Sequence, residues 1–360
     1  MAAVIYTYLT YKIMKQLYKM HKLRMVCLLC MLMRTIQKTA GGTYIVSLPK
    51  QIVKTLGLDK RHVVRVTVED DRIVLTPATV RQTVQSKRID TSDLRDPKLL
   101  GLAIVNSYIM GHDVAEVVSE GKMNPLLKKA VREAVENMIG VEIVEDYADR
   151  VVLQTFIDPT KFELDKLLEK FTQFSRAVMR DAAKALRIGD KTLAHDAYER
   201  GFELTKHYRL LMRVCFQALH STVVREAVKV RDTSGLVVRI IAVRELGRVA
   251  YYCMRMAERV EEIGRVEDEL AATIEEMVSL VDKMLDDALT ALLKHDLSLA
   301  STVIDRMENV RTLYTKAFRH IIRKPEKEAN ILGLIIRAVR AIAGYGVALA
   351  DDAILEIFSR

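Results

Sequence analysis

Eight cations and four acids share the stretch from Arg34 to Pro77. Arg34, Lys38, Lys50, Lys54, Lys60, Arg61, Arg65 and Arg72 stand against Asp59, Glu69, Asp70 and Asp71. Lysine and arginine at this density suit one kind of chemistry, the neutralisation of phosphates along a polyanion with release of its counterions. Other reactive residue types lack the company that catalysis needs. Cys27 and Cys30 have CxxC spacing, but no second CxxC or histidine pair completes a zinc site, and a redox motif would need a strand before a helix. They read as small apolar residues on a helix, and Cys215 and Cys253, in apolar helical stretches, read as core. His112 beside Asp113 reads as a turn residue, since no nucleophile, glycine-rich loop or second histidine is near it in sequence. The chain therefore reads as a non-enzyme, with no cofactor implied. Four cysteines in 360 residues, without a framework of pairs, fit a reducing cytoplasm.

The elements that must position the cations are short. Two β-rich runs, Arg34 to Lys38 and Tyr44 to Leu48, flank Gly41-Gly42. Pro49 opens a short amphipathic helix, Lys50 to Leu56, which Gly57 stops. Two further strand-like runs, Val63 to Val68 and Arg72 to Leu75, surround the acidic turn Glu69-Asp70-Asp71. About 45 residues hold too small a core for an independent monomer, so the piece is expected to be stable only when paired with a second copy.

This order resembles the SpoVT/AbrB swapped-hairpin DNA-binding domains. The nearest pattern is the variant that begins archaeal phosphate-uptake regulators: a Gly-Gly turn, then Tyr44-Ile45-Val46-Ser47-Leu48-Pro49-Lys50, then Leu56-Gly57-Leu58. Where that family often has Gly-Asp after the helix, this chain has Arg61-His62. The resemblance implies that the cationic first strand and the segment around the second strand and helix face DNA. Carried over residue by residue, that gives Arg34, Lys38, Thr43, Lys50 and Lys54 as DNA-binding residues. Bacterial members place arginines where this chain has Ile45, Val53 and the Gly-Gly turn.

Lys plus Arg number 56 and Asp plus Glu 47, a formal excess of 9. Five of the cations (Lys12, Lys15, Lys19, Lys22, Arg24) lie in the first thirty residues, which carry no acid. Mild basicity of this kind does not by itself define a nucleic-acid partner. Residues 1–33 are apolar, basic and methionine-rich, and their longest apolar run, Met25 to Met33, is about half of what spans a bilayer. Three readings stay open: an interfacial amphipathic helix, a helix packed on a partner subunit, or an extension upstream of a true start at Met33. No stable membrane insertion is expected.

Residues 80–158 read as a polar linker, 80–96, followed by a small α/β layer. That layer has helices over 97–110 and from Asn124-Pro125 to Gly140, a β run 115–118, and a hairpin from Val141 to Val144 and Arg150 to Phe156. From Pro159 onward apolar residues recur three and four apart, giving helices over about 160–187, 190–220, 236–263, 266–294, 297–323 and 326–358. They fall into two sets of three, 159–264 and 265–360. The second helix of each set opens alike, Gly189-Asp190-x-x-x-Ala194 and His295-Asp296-x-x-x-Ala300, which signals a tandem duplication. Short connections imply antiparallel neighbours and two packed bundles.

Over roughly its last two hundred residues the chain resembles the PhoU family, phosphate-uptake regulators built from two similar three-helix bundles. The segment Ile336 to Asp352 is similar to that family's final helix. The expected fold is multidomain α+β: a swapped-hairpin domain (34–79) that is an obligate dimer, a small α/β domain (80–158) and PhoU-like all-α bundles. PhoU proteins commonly hold metal with acids four apart on two helices of each bundle. The matching positions here are Gly201 and Thr205, Gly247 and Tyr251, Met307 and Arg311, and Arg340 and Gly344, none acidic. A shifted set, Glu199 and Glu203 with Glu258 and Glu262, is interleaved with Arg200, Lys206, Arg255 and Arg259 and reads as a solvated face. No metal is expected. The function these resemblances imply is a cytoplasmic, homodimeric transcriptional regulator of phosphate uptake. Its partners would be DNA, a second copy, and a phosphate-transporter component or sensor protein. The alternative is a module docking on the transporter's ATPase, with the hairpin domain used only for dimerisation. An antitoxin is disfavoured, because such hairpin domains usually carry short disordered tails.

Overall fold

The structure, a computed structural model, describes residues 33–58, 63–69, 72–77 and 84–358. The expectations for the N-terminal extension, up to residue 32, for the Arg61-His62 departure and for the acidic turn at Asp70-Asp71 lie outside these residues. The chain divides into two compact units, Met1–Arg81 and Gln82–Arg360.

In the first unit β1 (Gln37–Lys38) pairs antiparallel with β2 (Tyr44–Ile45), Gln37 opposite Ile45 and Lys38 opposite Tyr44. Thr39 and Gly42 close the turn, with the Gly42 N–H on the Thr39 carbonyl at 3.0 Å. Gly42 takes φ of 84°, a left-handed backbone that a side chain would strain, which is why glycine stands there. Helix α1 (Lys50–Thr55) follows Pro49. A separate hairpin joins β3 (Val64–Glu69) to β4 (Arg72–Pro77). Both paired runs of the first hairpin are shorter than their β-rich sequence suggests, since only two residues on each side find a ladder partner.

The polar stretch 80–96, expected as linker, contains strand β5 (Ser86–Asp90) of the second unit. It pairs in parallel with β6 (Val114–Val118) at the edge of a four-stranded sheet ordered β5, β6, β8, β7, with β7 (Val141–Asp146) and β8 (Arg150–Thr155) forming the hairpin. Its strand character comes from that pairing and from Ile89 in the core, because the run Ser-Lys-Arg-Ile-Asp has no alternation to announce it. Helices α2 (Pro97–Ile109) and α3 (Pro125–Glu136) each start with proline after a capping side chain. Asp96 accepts from the Lys98 N–H at 2.8 Å and Asn124 from the Leu126 N–H at 2.9 Å. Leu100, Ile104, Leu127 and Val131 from these helices share a core with Val117, Val151 and Leu153 of the sheet.

The rest of the unit is helical: α4 (Leu164–Ile188), α5 (Lys191–His220), α6 (Thr222–Ala227), α7 (Thr233–Ile263), α8 (Asp268–Lys294), α9 (Leu297–Asp305), α10 (Met307–Ile321) and α11 (Glu326–Phe358). Two details differ from the periodicity reading. The short α6 appears where Ser221 caps the Val224 N–H, and the fifth long helix is interrupted at Arg306. Arg306 keeps near-helical angles and pairs with Asp287 of α8, and no proline or glycine marks the break in sequence.

The duplicated sequence corners are duplicated structures. Gly189 (φ 73°) and His295 (φ 57°) both end their helices in left-handed backbone. The next residue then caps the following helix: Asp190 accepts from Leu193 N–H at 3.0 Å, and Asp296 from Leu299 N–H at 2.9 Å. All these helices contribute to one apolar core. By length and composition α11 could cross a membrane, but Leu332, Ile335, Ile336, Val339 and Ile342 are fully buried in that core.

The α/β layer is fixed to α5 by buried polar groups. Arg213, fully buried, donates to the carbonyls of Tyr108 at 2.9 Å and His112 at 2.7 Å and pairs with Asp113 at 2.7 Å. Its guanidinium also lies 5.0 Å from the centre of the Tyr108 ring. Asp113 in turn accepts from the Gln85 N–H at 3.1 Å. The His112-Asp113 turn thus has a structural partner.

Candidate nucleic-acid interface

The sequence-selected residues occupy exposed positions of the first unit. Arg34 precedes β1, and its guanidinium donates to the Met33 carbonyl at 3.1 Å. Lys38 lies on β1 with its ammonium 5.9 Å from the centre of the Tyr44 ring, the residue opposite it in the ladder. Thr43 closes the turn, its N–H on Thr39 Oγ1 at 3.2 Å. Lys50 begins α1 and Lys54 follows one turn later, which puts both on one side of the helix. None of these four cations forms an ion pair with a described carboxylate, and all are exposed. Exposed cations without an ion pair can neutralise phosphates without first giving up an internal carboxylate.

Sequence reasoning passed over an apolar surface in the same unit. In the β3–β4 hairpin Val66 faces Leu75 and Val68 faces Ile73 across the ladder. Val68 is 77% exposed and Ile73 68%. Ile36, Tyr44, Ile45 and Val46 are exposed as well, and Leu58 is the buried apolar residue among those described in this unit. The alternation Val64, Val66, Val68 was the available signal.

At two of the positions matched to the PhoU acids, Gly201 and Gly247, close neighbours leave no room for a side chain. A Cβ on Gly201 would stand 2.6 Å from Cβ of Met254, and one on Gly247 would stand 2.6 Å from the Tyr208 ring. In the second bundle Arg311 pairs with Glu308 at 3.0 Å and Arg340 lies over the Tyr314 ring. Of the shifted acids, Glu203 bonds Lys206 at 2.8 Å, Glu258 pairs with Arg255 and Glu262 with Arg259, while Glu199 is exposed. Among the described residues no group of three His, Cys, Asp or Glu side chains could hold a metal ion. Cys215 and Cys253 are buried, and burial pushes the Cys215 thiol up to about 12 and raises Cys253 further, so neither is a reactive thiolate.

Comparison with known proteins agrees with both ends of the chain. Residues 274–353 match the PhoU domain, and residues 37–83 match the model described as antidote-toxin recognition MazE, bacterial antitoxin. The chain thus carries a MazE/AbrB-type domain at its N-terminal end and a PhoU domain at its C-terminal end. Among solved structures it is similar to PhoU from Pseudomonas aeruginosa, at 18% identity over 55% of this chain and 96% of that one, with a TM-score of 0.47. It is also similar to the phosphate transport system regulatory protein PhoU from Streptococcus pneumoniae, at 18% identity over 54% and 94%, with a TM-score of 0.44. No curated protein sequence matches it.

Proposed function

We propose that this protein is a cytoplasmic, non-enzymatic DNA-binding regulator of phosphate uptake, acting as a homodimer whose first unit binds DNA and whose helical bundles receive the phosphate signal from a protein partner. The observation that carries the reading is the joining of a MazE/AbrB-type domain to a PhoU domain in one chain. Arg34, Lys38, Lys50 and Lys54 support it as unpaired cations, with Thr43 beside them as a hydrogen-bonding group. Self-pairing is supported by the exposed apolar face around Val66, Val68 and Ile73, since a two-stranded hairpin alone in water is marginal.

The alternative uses the same domains differently: the bundles dock on a phosphate-transporter ATPase and the first unit only dimerises. Salt-dependent DNA binding separates the two. The purified chain should bind its own upstream DNA several-fold more tightly than random DNA, with affinity falling steeply as salt rises. Lys38→Ala and Lys50→Ala should each weaken binding to all sequences and reduce the salt slope by about one. A stable dimer with flat or undetectable DNA binding would overturn the regulator and leave the docking module.

A further inference from the structure

The arginines of the helical unit fall into two groups, those with a carboxylate partner, among them Arg239 of α7, which pairs with Glu356 of α11, and a smaller exposed set without one. Along the seam of α4 and α8, Arg176 and Arg180 pair with Asp282, and Arg187 pairs with Glu275. On α7 and α11, Arg244, Arg248, Arg337 and Arg340 are exposed, and none forms an ion pair with a described carboxylate. Two of them are instead held by aromatic side chains. The Arg244 guanidinium donates to the Tyr208 hydroxyl at 3.0 Å, and Arg340 lies 5.1 Å from the centre of the Tyr314 ring.

Those aromatics connect four helices. Tyr314 stacks on Phe318 within α10, Tyr345 of α11 stacks on Tyr252 of α7 at 5.9 Å, and Tyr251 meets Tyr252 edge-on at 5.3 Å. Gly247 supplies the space for the Tyr208 ring that positions Arg244. Residues 244, 248 and 251 recur at helical spacing and share one stripe of α7. Tyr251 and Phe318 are 47% and 45% exposed. The result is a band of tyrosine and arginine over α5, α7, α11 and α10 whose four arginines make no ion pair with a described carboxylate, with Glu245 the neighbouring acid whose charge acts on Arg244.

We propose that this band is the docking surface for an acidic, amphipathic segment of a partner protein. The inference rests on the reading of the bundles as an interaction module, and adds the surface and the partner's chemistry. Charge complementarity selects the occupant. A second copy would bring the same four arginines against these, a like-charge juxtaposition that is costly. Tyrosine and arginine are the residues in which protein interfaces concentrate binding energy. A guanidinium stacked on a ring keeps its donor edge free for a carboxylate fork. Nucleic acid fits less well, because Tyr252 and Tyr345 already use ring faces on one another and so are withheld from bases.

The test titrates the full-length protein into a fluorescent helical peptide carrying glutamates on one face and leucines on the other. A matched peptide with lysines for glutamates, duplex DNA and inorganic phosphate serve as competitors. The acidic peptide should bind, weaken with salt, and protect amides in residues 244–255 and 334–348 from hydrogen exchange. The double variant Arg248→Glu/Arg337→Glu changes two exposed side chains. It should lose at least about tenfold in peptide affinity while keeping its unfolding midpoint and its affinity for upstream DNA. Undetectable binding of the acidic peptide, equal affinity in the double variant, or displacement by duplex DNA or by phosphate in place of acidic peptide would overturn the proposal. Intact DNA binding beside a failed peptide titration would sink this inference alone. Lost DNA binding beside a successful titration would sink the regulator and leave the docking surface standing.

Discussion

Arg213 of α5 and Asp113, the residue before β6, are joined at 2.7 Å although exactly a hundred residues separate them in the chain. The arginine side chain has no solvent exposure, and burial lowers its pKa even with Asp113 and Tyr108 opposing that effect. Removing one partner of a buried pair strands the other charge. Asp113→Ala should therefore destabilise the protein by roughly 3–5 kcal/mol, and Arg213→Met, which removes the buried charge itself, by less. Chemical denaturation of both variants checks the order, and an equal loss in the two would refute the account.

Asp352 gives a pH signature. It is 7% exposed, one of its carboxylate oxygens has no hydrogen-bond partner, and burial, then Glu245 and Asp351, raises its pKa to about 7. A carboxyl group whose folded pKa is raised stabilises the fold fully below the unfolded carboxylate range and loses that contribution as pH rises through the folded value. Asp352→Asn should accordingly gain stability over the native chain at pH 8, by at most ~4 kcal/mol, with the gain shrinking towards pH 5. Thermal melts across that range decide it, and a gain independent of pH would count against the assignment.

The two repeated corners should respond alike. Asp190→Ala and Asp296→Ala each remove a side-chain acceptor at a helix start, bonds of 3.0 and 2.9 Å, and each should cost about 1 kcal/mol. The two aspartates cap different helices, α5 and α9, and share no hydrogen-bond partner, so the double variant should lose nearly the sum. Denaturant midpoints of the single and double variants provide the comparison.

Gly247 leaves space that any side chain would fill. Its Cβ would stand 2.6 Å from the Tyr208 ring, so Gly247→Ala should cost about 1–3 kcal/mol and displace Tyr208 from Arg244. Calorimetry gives the stability change. An unchanged melt would mean that the ring moves aside freely.

The exposed apolar hairpin predicts an association state. Val68→Lys places a charge on a face now 77% exposed at that residue. If a second copy covers this face, the variant should shift towards monomer in analytical ultracentrifugation and its first unit should lose protection in hydrogen exchange. An unchanged dimer would place the self-association elsewhere.

What the sequence determined by itself was local and periodic. Apolar recurrence every three to four residues located the long helices, and Gly41-Gly42 and Pro49 marked the turn and the helix start in the first unit. Gly189-Asp190 and His295-Asp296 announced the duplicated corner, because a left-handed C-terminus and a capping aspartate need only neighbouring residues. The five residues proposed to face DNA came by resemblance to a family, and the fold adds that they are exposed, with the four cations making no ion pair with a described carboxylate. Tertiary structure decided what depends on distant partners. Ser86–Asp90 is a strand because β6, beyond an intervening helix, offers it a ladder. Arg213 is a clamp, and not a surface cation, because the α/β layer closes over it. Arg176 and Arg180 meet Asp282 while Arg244 and Arg340 meet tyrosines, because packing decides which helix faces a given arginine. Side-chain charge is written in the sequence, but whether it is spent inside the fold is set by which helices meet.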